Sequence, residues 1–191
     1  LGIFLGLSLL GLVSGVIGSS PTIIVGQPNF VKKVVFPLEI LPAANVGALA
    51  YDLLIGLGLC LLGVALVGPG LSLQTLYIPL IIVPVFFIAL GFAWFFSALG
   101  VFIRDISQIG SFLGLALLYS SGVFYSAEKA MVAAPSIWKF LQWNPLLQII
   151  DSLRSVTLWG GDPNWNGIVY AWIFGLIVLF SGAWFFNRLR P

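Results

Sequence analysis

The sequence predicts an all-α membrane protein: a polytopic helical bundle of five spans, with short amphipathic helices in the loop before the last one. Three observations carry this. Of 191 residues, 60% are hydrophobic and only 7% are charged, where a soluble domain has about a quarter charged. So little polar material does not cover a surface in water, and mean hydropathy is +1.13. The apolar residues fall in long runs. A helix needs about 20 such residues to cross a bilayer, and the runs are too long and too uniform for the roughly ten-residue alternating strands of a barrel.

The first run is 1–25, softened at its end by Ser19, Ser20 and Pro21. It opens on Leu1 without a charged leader, and the expectation is a fragment whose N-terminus is missing. The second run is 41–67, closed by Gly68-Pro69-Gly70, which is turn chemistry. The third, 76–103, is long enough to tilt, or to kink near Pro79 and Pro84. The fourth is 106–125 and the fifth 167–186, followed by a tail at 187–191.

Basic residues orient the bundle. One side receives Lys32 and Lys33, then Arg104, then Arg188 and Arg190. The other receives Lys129, Lys139 and Arg154, spread through 126–166 beside Glu128, Asp151 and Asp162. The first side is therefore expected to be cytoplasmic, and the C-terminus with it.

The outer segment 126–166 contains Trp138, Trp143, Trp159 and Trp165, as expected at a headgroup interface. Asn144-Pro145 reads as an N-cap followed by Pro at the first helical position. The helix runs to about Leu158 and stops at Gly160-Gly161. Leu146, Ile149, Ile150, Leu153 and Val156 recur at helical spacing, with Gln148, Asp151, Ser152 and Ser155 largely between them. A shorter helix is expected over Ser136 to Trp143. Two readings stand: interfacial helices that fill a loop, or a re-entrant hairpin that caps a pathway.

Asp52 is the clear charge inside a run. It either faces a pathway or sits nearer the headgroups. Arg104-Asp105 makes a tight turn, read as an anchor pair or as a partner contact. The segment 26–40 contains NFVKKVVFPLEILP from Asn29 onward. Asn29 suits an N-cap, Phe30 to Phe36 give about two helical turns, and Pro37 ends them. So short a helix needs a surface to lie on. The surface is either headgroups or a groove on a soluble partner.

Exclusions are as informative. There is no His and one Cys, Cys60. Histidine catalysis, Cys/His metal sites and an intrachain disulfide are excluded. Net charge is +2, too little to argue for nucleic acid. No GxxxxGK[ST] occurs, so any ATP is bound by another chain.

Three stretches together carry a resemblance: NFVKKVVFPLEILP, ALGVFIRDISQI at 98–109, and SSGVFYS at 120–126 followed by WNPLLQIIDSLRSVTLWG. They resemble, in order and spacing, the permeases of ABC-2 type ABC transporters that export bacterial polysaccharides: O-antigen, capsule and teichoic acid. The resemblance implies six spans in a full chain, of which these are the last five, in the bacterial inner membrane. It implies a homodimeric conduit for a lipid-linked glycan, with a separate ATPase that carries ATP and Mg while this chain binds no cofactor and catalyses nothing itself. Asn29, Phe30, Lys32, Lys33, Phe36, Pro37 and Glu39 become the ATPase coupling loop, with Arg104 and Asp105 in the cytoplasmic turn. Asn144, Pro145, Asp151 and Arg154 belong to an outer gate helix, and Asp52 to a possible pathway. The sequence departs from the family pattern in SSGVFYS, which lacks the expected proline beside the valine. Two other functions compete: an ABC-2 permease for a drug or lipid, and a membrane enzyme acting on lipid-linked sugars. For the enzyme, the acids Glu128, Asp151 and Asp162 are scattered rather than clustered.

Overall fold

The computed structural model describes residues 1–26, 37–68, 70, 72–103, 105–133 and 135–189. Within them the chain is helical: α1 (Gly2–Ile23), α2 (Ile40–Val67), α3 (Ile78–Phe102), α4 (Ile106–Ser120), α5 (Ala127–Ala133), α6 (Pro135–Leu141), α7 (Pro145–Leu158) and α8 (Trp165–Leu189). A 3-10 turn, Leu73–Tyr77, leads directly into α3. Among the described residues, α1, α2, α3 with its 3-10 turn, and α8 are long and apolar enough to cross a membrane.

The fourth apolar run differs from expectation. Its helix has 15 residues, about 22 Å, short of the roughly 30 Å hydrocarbon layer. The run stays apolar to Tyr125, but the helix ends where Gly122 takes φ +70 and turns the backbone. The following segment also differs: α6 begins at Pro135 rather than Ser136 and ends at Leu141, and α5 precedes it.

Chain direction alternates along the bundle. At one end the Arg154 guanidinium reaches the Gly2 carbonyl, and the Trp172 indole reaches the Leu80 carbonyl. At the opposite end Asn45 donates to Ser19 at 2.7 Å, and the Trp94 indole donates to the Glu39 carbonyl at 3.2 Å. α3 and α8 run parallel and share the most extensive contact in the bundle. Hydrocarbon is as apolar as Leu, so packing and hydrogen bonds hold membrane helices together.

Proline positions show how the sequence manages this. Pro84 has no N–H to give the Leu80 carbonyl four residues back, and Trp172 of α8 supplies that donor at 3.1 Å. Pro21 frees the Ile17 carbonyl in the same way. Gly110 of α4 packs against it so closely that a Cβ there would lie 2.8 Å from the oxygen. The main core joins Leu5, Leu9, Val13 and Val16 of α1 to Ile81, Val85 and Ile88 of α3 and to Leu146, Ile150 and Leu153 of α7. A smaller cluster at the opposite end gathers Ile24, Ala98 and Phe186, with Leu38, Trp94, Phe185 and Leu189 packed on it.

Candidate functional site

The α7 end of the bundle is where polar chemistry concentrates. α7 is amphipathic in sequence, yet protein encloses most of it. Pro145, Leu146, Leu147, Ile149, Ile150, Ser152, Leu153, Arg154, Val156 and Thr157 are buried. Only a stripe through Gln148, Asp151, Ser155 and Leu158 is half-exposed. The helix is a plug between α1, α3 and α8 rather than a helix resting on the bundle surface.

Asn144 fixes where the plug begins. Its Oδ1 accepts from the Leu146 N–H at 3.0 Å, the N-cap bond. Its Nδ2 donates to the Ser120 carbonyl at 3.1 Å and lies 3.1 Å from the Ser120 hydroxyl. One amide therefore caps the start of α7 and the end of α4, using acceptor and donor together. Pro145 follows at the first helical position. Asn144→Ala is expected to lower stability by about 2 kcal/mol, one lost cap plus one unpaired carbonyl. Asn144→Asp retains the acceptor and loses the donor, so it should recover about half of that. Thermal unfolding of the purified protein in detergent checks both.

Arg154 fixes where the plug sits. It is 6% exposed. Nη1 donates to the Gly122 carbonyl at 2.8 Å and to the Tyr125 carbonyl at 3.1 Å. Nη2 donates to the Val123 carbonyl, and Nε to the Gly2 carbonyl at 3.1 Å. The Gly122, Val123 and Tyr125 carbonyls are those that the turn after α4 removes from helical pairing, and the Gly2 carbonyl ties the same guanidinium to the start of α1. Non-helical backbone inside such a protein needs buried partners, and a planar guanidinium with five N–H donors supplies them in one group. Burial lowers the Arg154 pKa, while the Asp151 carboxylate one turn earlier raises it. Gly6 of α1 packs beneath the guanidinium: a Cβ there would lie 3.2 Å from Nη2. Beside this assembly a cleft of about 790 Å³ is lined in part by Tyr125, Lys129, Asp151, Arg154, Ser155 and Trp159.

The remaining predicted positions fall elsewhere. Asn29, Phe30, Lys32, Lys33 and Phe36 lie outside the described residues, as does Arg104. Pro37 is exposed and Glu39 half-buried at the start of α2. Glu39 is held through its carbonyl by Trp94. Asp105 is exposed at the start of α4. Asp52 is exposed near the middle of the 28-residue helix α2, on a face shared with Tyr51, Ile55 and Leu59. The structure joins Asn144, Pro145, Asp151 and Arg154 on α7 and its cap, and leaves Asp52, Pro37, Glu39 and Asp105 apart from them. Among the described residues no group of three or more Asp, Glu or Cys side chains is placed to hold a metal.

Several span-length apolar helices around a protein-enclosed plug helix define a multi-pass membrane protein. Residues 1–158 match the family described as ABC-2 type transporter, and the chain belongs to that family. Two curated relatives, both named O-antigen export system permease protein RfbA and both from Klebsiella pneumoniae, are each 26% identical over 167 residues. The matched region covers 87% of this chain and 63% of theirs, so this chain spans less than two thirds of their length.

Proposed function

We propose that this chain is the permease subunit of an ABC exporter that moves a polysaccharide across the bacterial inner membrane. The observation that carries the reading is the similarity to O-antigen export permeases over 87% of the chain. ATP and Mg are bound on a separate ATPase subunit, and two permease copies form the conduit. The side to which the sequence assigns Lys32, Lys33, Arg104, Arg188 and Arg190 is cytoplasmic. The Arg154 end faces outward, where the plug helix α7 acts as the gate.

Coupling has a physical route. Ile24 before the segment 27–36 and Leu38 after it rest on one cluster with Ala98 and Phe186. The Trp94 indole also grips the Glu39 carbonyl. A push on 27–36 by a closing ATPase dimer therefore reaches α1, α3 and α8 together, and the conformational equilibrium shifts. Asp52 is assigned to the conduit face. A carboxylate exposed near mid-helix is costly against hydrocarbon and is accommodated by water or protein.

The test uses the full-length protein in cells lacking the native copy, scored for surface glycan and for co-purified ATPase. Replacing 29–36 with Gly/Ser is expected to abolish both. Asp52→Leu is expected to reduce export about tenfold or more, because it removes a charge from the face assigned to the path, while ATPase association persists. Unchanged glycan in cells lacking the gene would reject the polysaccharide and redirect the search to a lipid or drug.

A further inference from the structure

A second cleft at the Arg154 end, about 310 Å³, is formed where α6, the start of α7 and the start of α8 meet. Two tryptophans and a tyrosine line it, Trp138, Trp143 and Tyr170, together with four amides, Gln142, Gln148, Asn164 and Asn166. No charged side chain is among its lining residues. We propose that this cleft is a carbohydrate subsite that stacks a pyranose ring, from the exported glycan or from a membrane glycolipid. The proposal rests on the export reading above.

The chemistry is specific. A sugar presents a ring of C–H bonds on one face and hydroxyls, each both donor and acceptor, around its edge. Aromatic faces suit the first, since they bring large contact area with a polarised π surface. Amides suit the second, because each carries donor and acceptor. A phosphate headgroup calls instead for Arg or Lys, which the lining lacks. The volume is at the small end of ligand pockets, roughly one or two sugar rings.

Three of the amides are prearranged. Asn164 Nδ2 donates to Gln148 Oε1 at 3.1 Å, and Gln148 Nε2 donates to the Gln142 carbonyl at 3.1 Å. Gln142 Nε2 donates to the Lys139 carbonyl at 3.2 Å, and Asn164 Oδ1 accepts from the Gly167 N–H at 3.2 Å. Gln148 and Asn164 are each held at both amide ends and Gln142 at its nitrogen, which leaves the second N–H and the second lone pair of each for a ligand. The aromatic wall is fixed as well. The Tyr170 hydroxyl donates to the Trp143 carbonyl at 2.8 Å, and the two rings meet edge to face with centroids 6.1 Å apart. Trp143 nonetheless stays 65% exposed. A headgroup-belt tryptophan explains the ring alone; it does not explain a chain of amides around it.

The experiment places the photo-crosslinking residue p-benzoylphenylalanine at Asn166 of the full-length permease in exporting cells. A matched control carries it at Leu66, on the exposed face of α2. After illumination, the purified protein is probed for sugar by periodate–hydrazide labelling and the adduct is identified by mass. Sugar is expected at position 166 and not at 66. Trp143→Ala should weaken the adduct about fivefold, the size of one aromatic contact, and Trp143→Phe should restore most of it. A polymeric series identifies the exported glycan, and a single mass identifies a membrane glycolipid occupying the same sugar site; either supports the subsite. Phospholipid adducts alone overturn it. Absence of sugar at 166 in cells that still display glycan overturns the subsite and leaves the export reading intact. Unchanged surface glycan in cells lacking the gene overturns both.

Discussion

Arg154→Met should lower the thermal midpoint of the purified protein by about 10 °C, a loss on the order of 4 kcal/mol. Methionine fills a similar volume but donates nothing. The carbonyls of Gly122, Val123, Tyr125 and Gly2 would lose their guanidinium donor together. Buried carbonyls without donors cost more than the hydrogen bonds themselves contribute. The turn after α4 is then expected to open, so limited proteolysis should cut near 121–125 in the variant and not in the parent. Arg154→Lys separates charge from shape. Lysine keeps the cation and has three donors on a flexible stem, without the planar fork. It should recover less than half of the loss. Full recovery by lysine would mean that charge alone, rather than the fan of carbonyls, holds α7 in place. If α7 is the gate, the variant should also leak: small solutes should cross vesicles containing Arg154→Met without ATP, a readout that simple destabilisation in detergent does not predict.

The long helices were legible because a membrane span is written in consecutive residues. Runs of apolar side chains gave α1, α2, α3 and α8, and Asn144-Pro145 marked the start of α7 by a cap chemistry local to three residues. Arg154 was a different matter. In sequence it is one charge on an amphipathic helix, and its acceptors lie 29 to 152 positions away. Hydropathy also carried the fourth run to Tyr125, because Val123 and Phe124 are as apolar as the helix before them. The residues that end the helix are Ser121 and Gly122, and the signal was Gly122 after two serines, a left-handed C-terminal cap. The second cleft draws on α6, α7 and α8 at once. Its tryptophans were visible as an interfacial set, while the amides beside them converge only in the fold.

Gly91→Leu should have an effect as large as that of Arg154, by the opposite physics: a group added rather than removed. α3 and α8 run parallel and touch through glycines spaced seven apart. Gly175 packs on the Pro84 carbonyl, where a Cβ would lie 2.9 Å away, and Gly182 packs on the Gly91 carbonyl still more closely. Gly91 in turn faces the Val178 carbonyl. The clashing atoms are backbone on both sides, so no rotamer change makes room. The helices must separate, and in hydrocarbon their close packing is what holds them together. A loss of about 3 kcal/mol or more follows, and it should appear as a large fall in folded protein recovered from membranes. Gly182→Leu should match it, because both substitutions open the same crossing. Gly58→Leu is the control: a Cβ there meets nothing within 4 Å, so it should leave folding unchanged. Equal losses at 58 and 91 would mean that leucine disturbs the helix wherever it is placed. A loss confined to 91 and 182 would identify the α3–α8 seam as the fixed frame against which α7 is held.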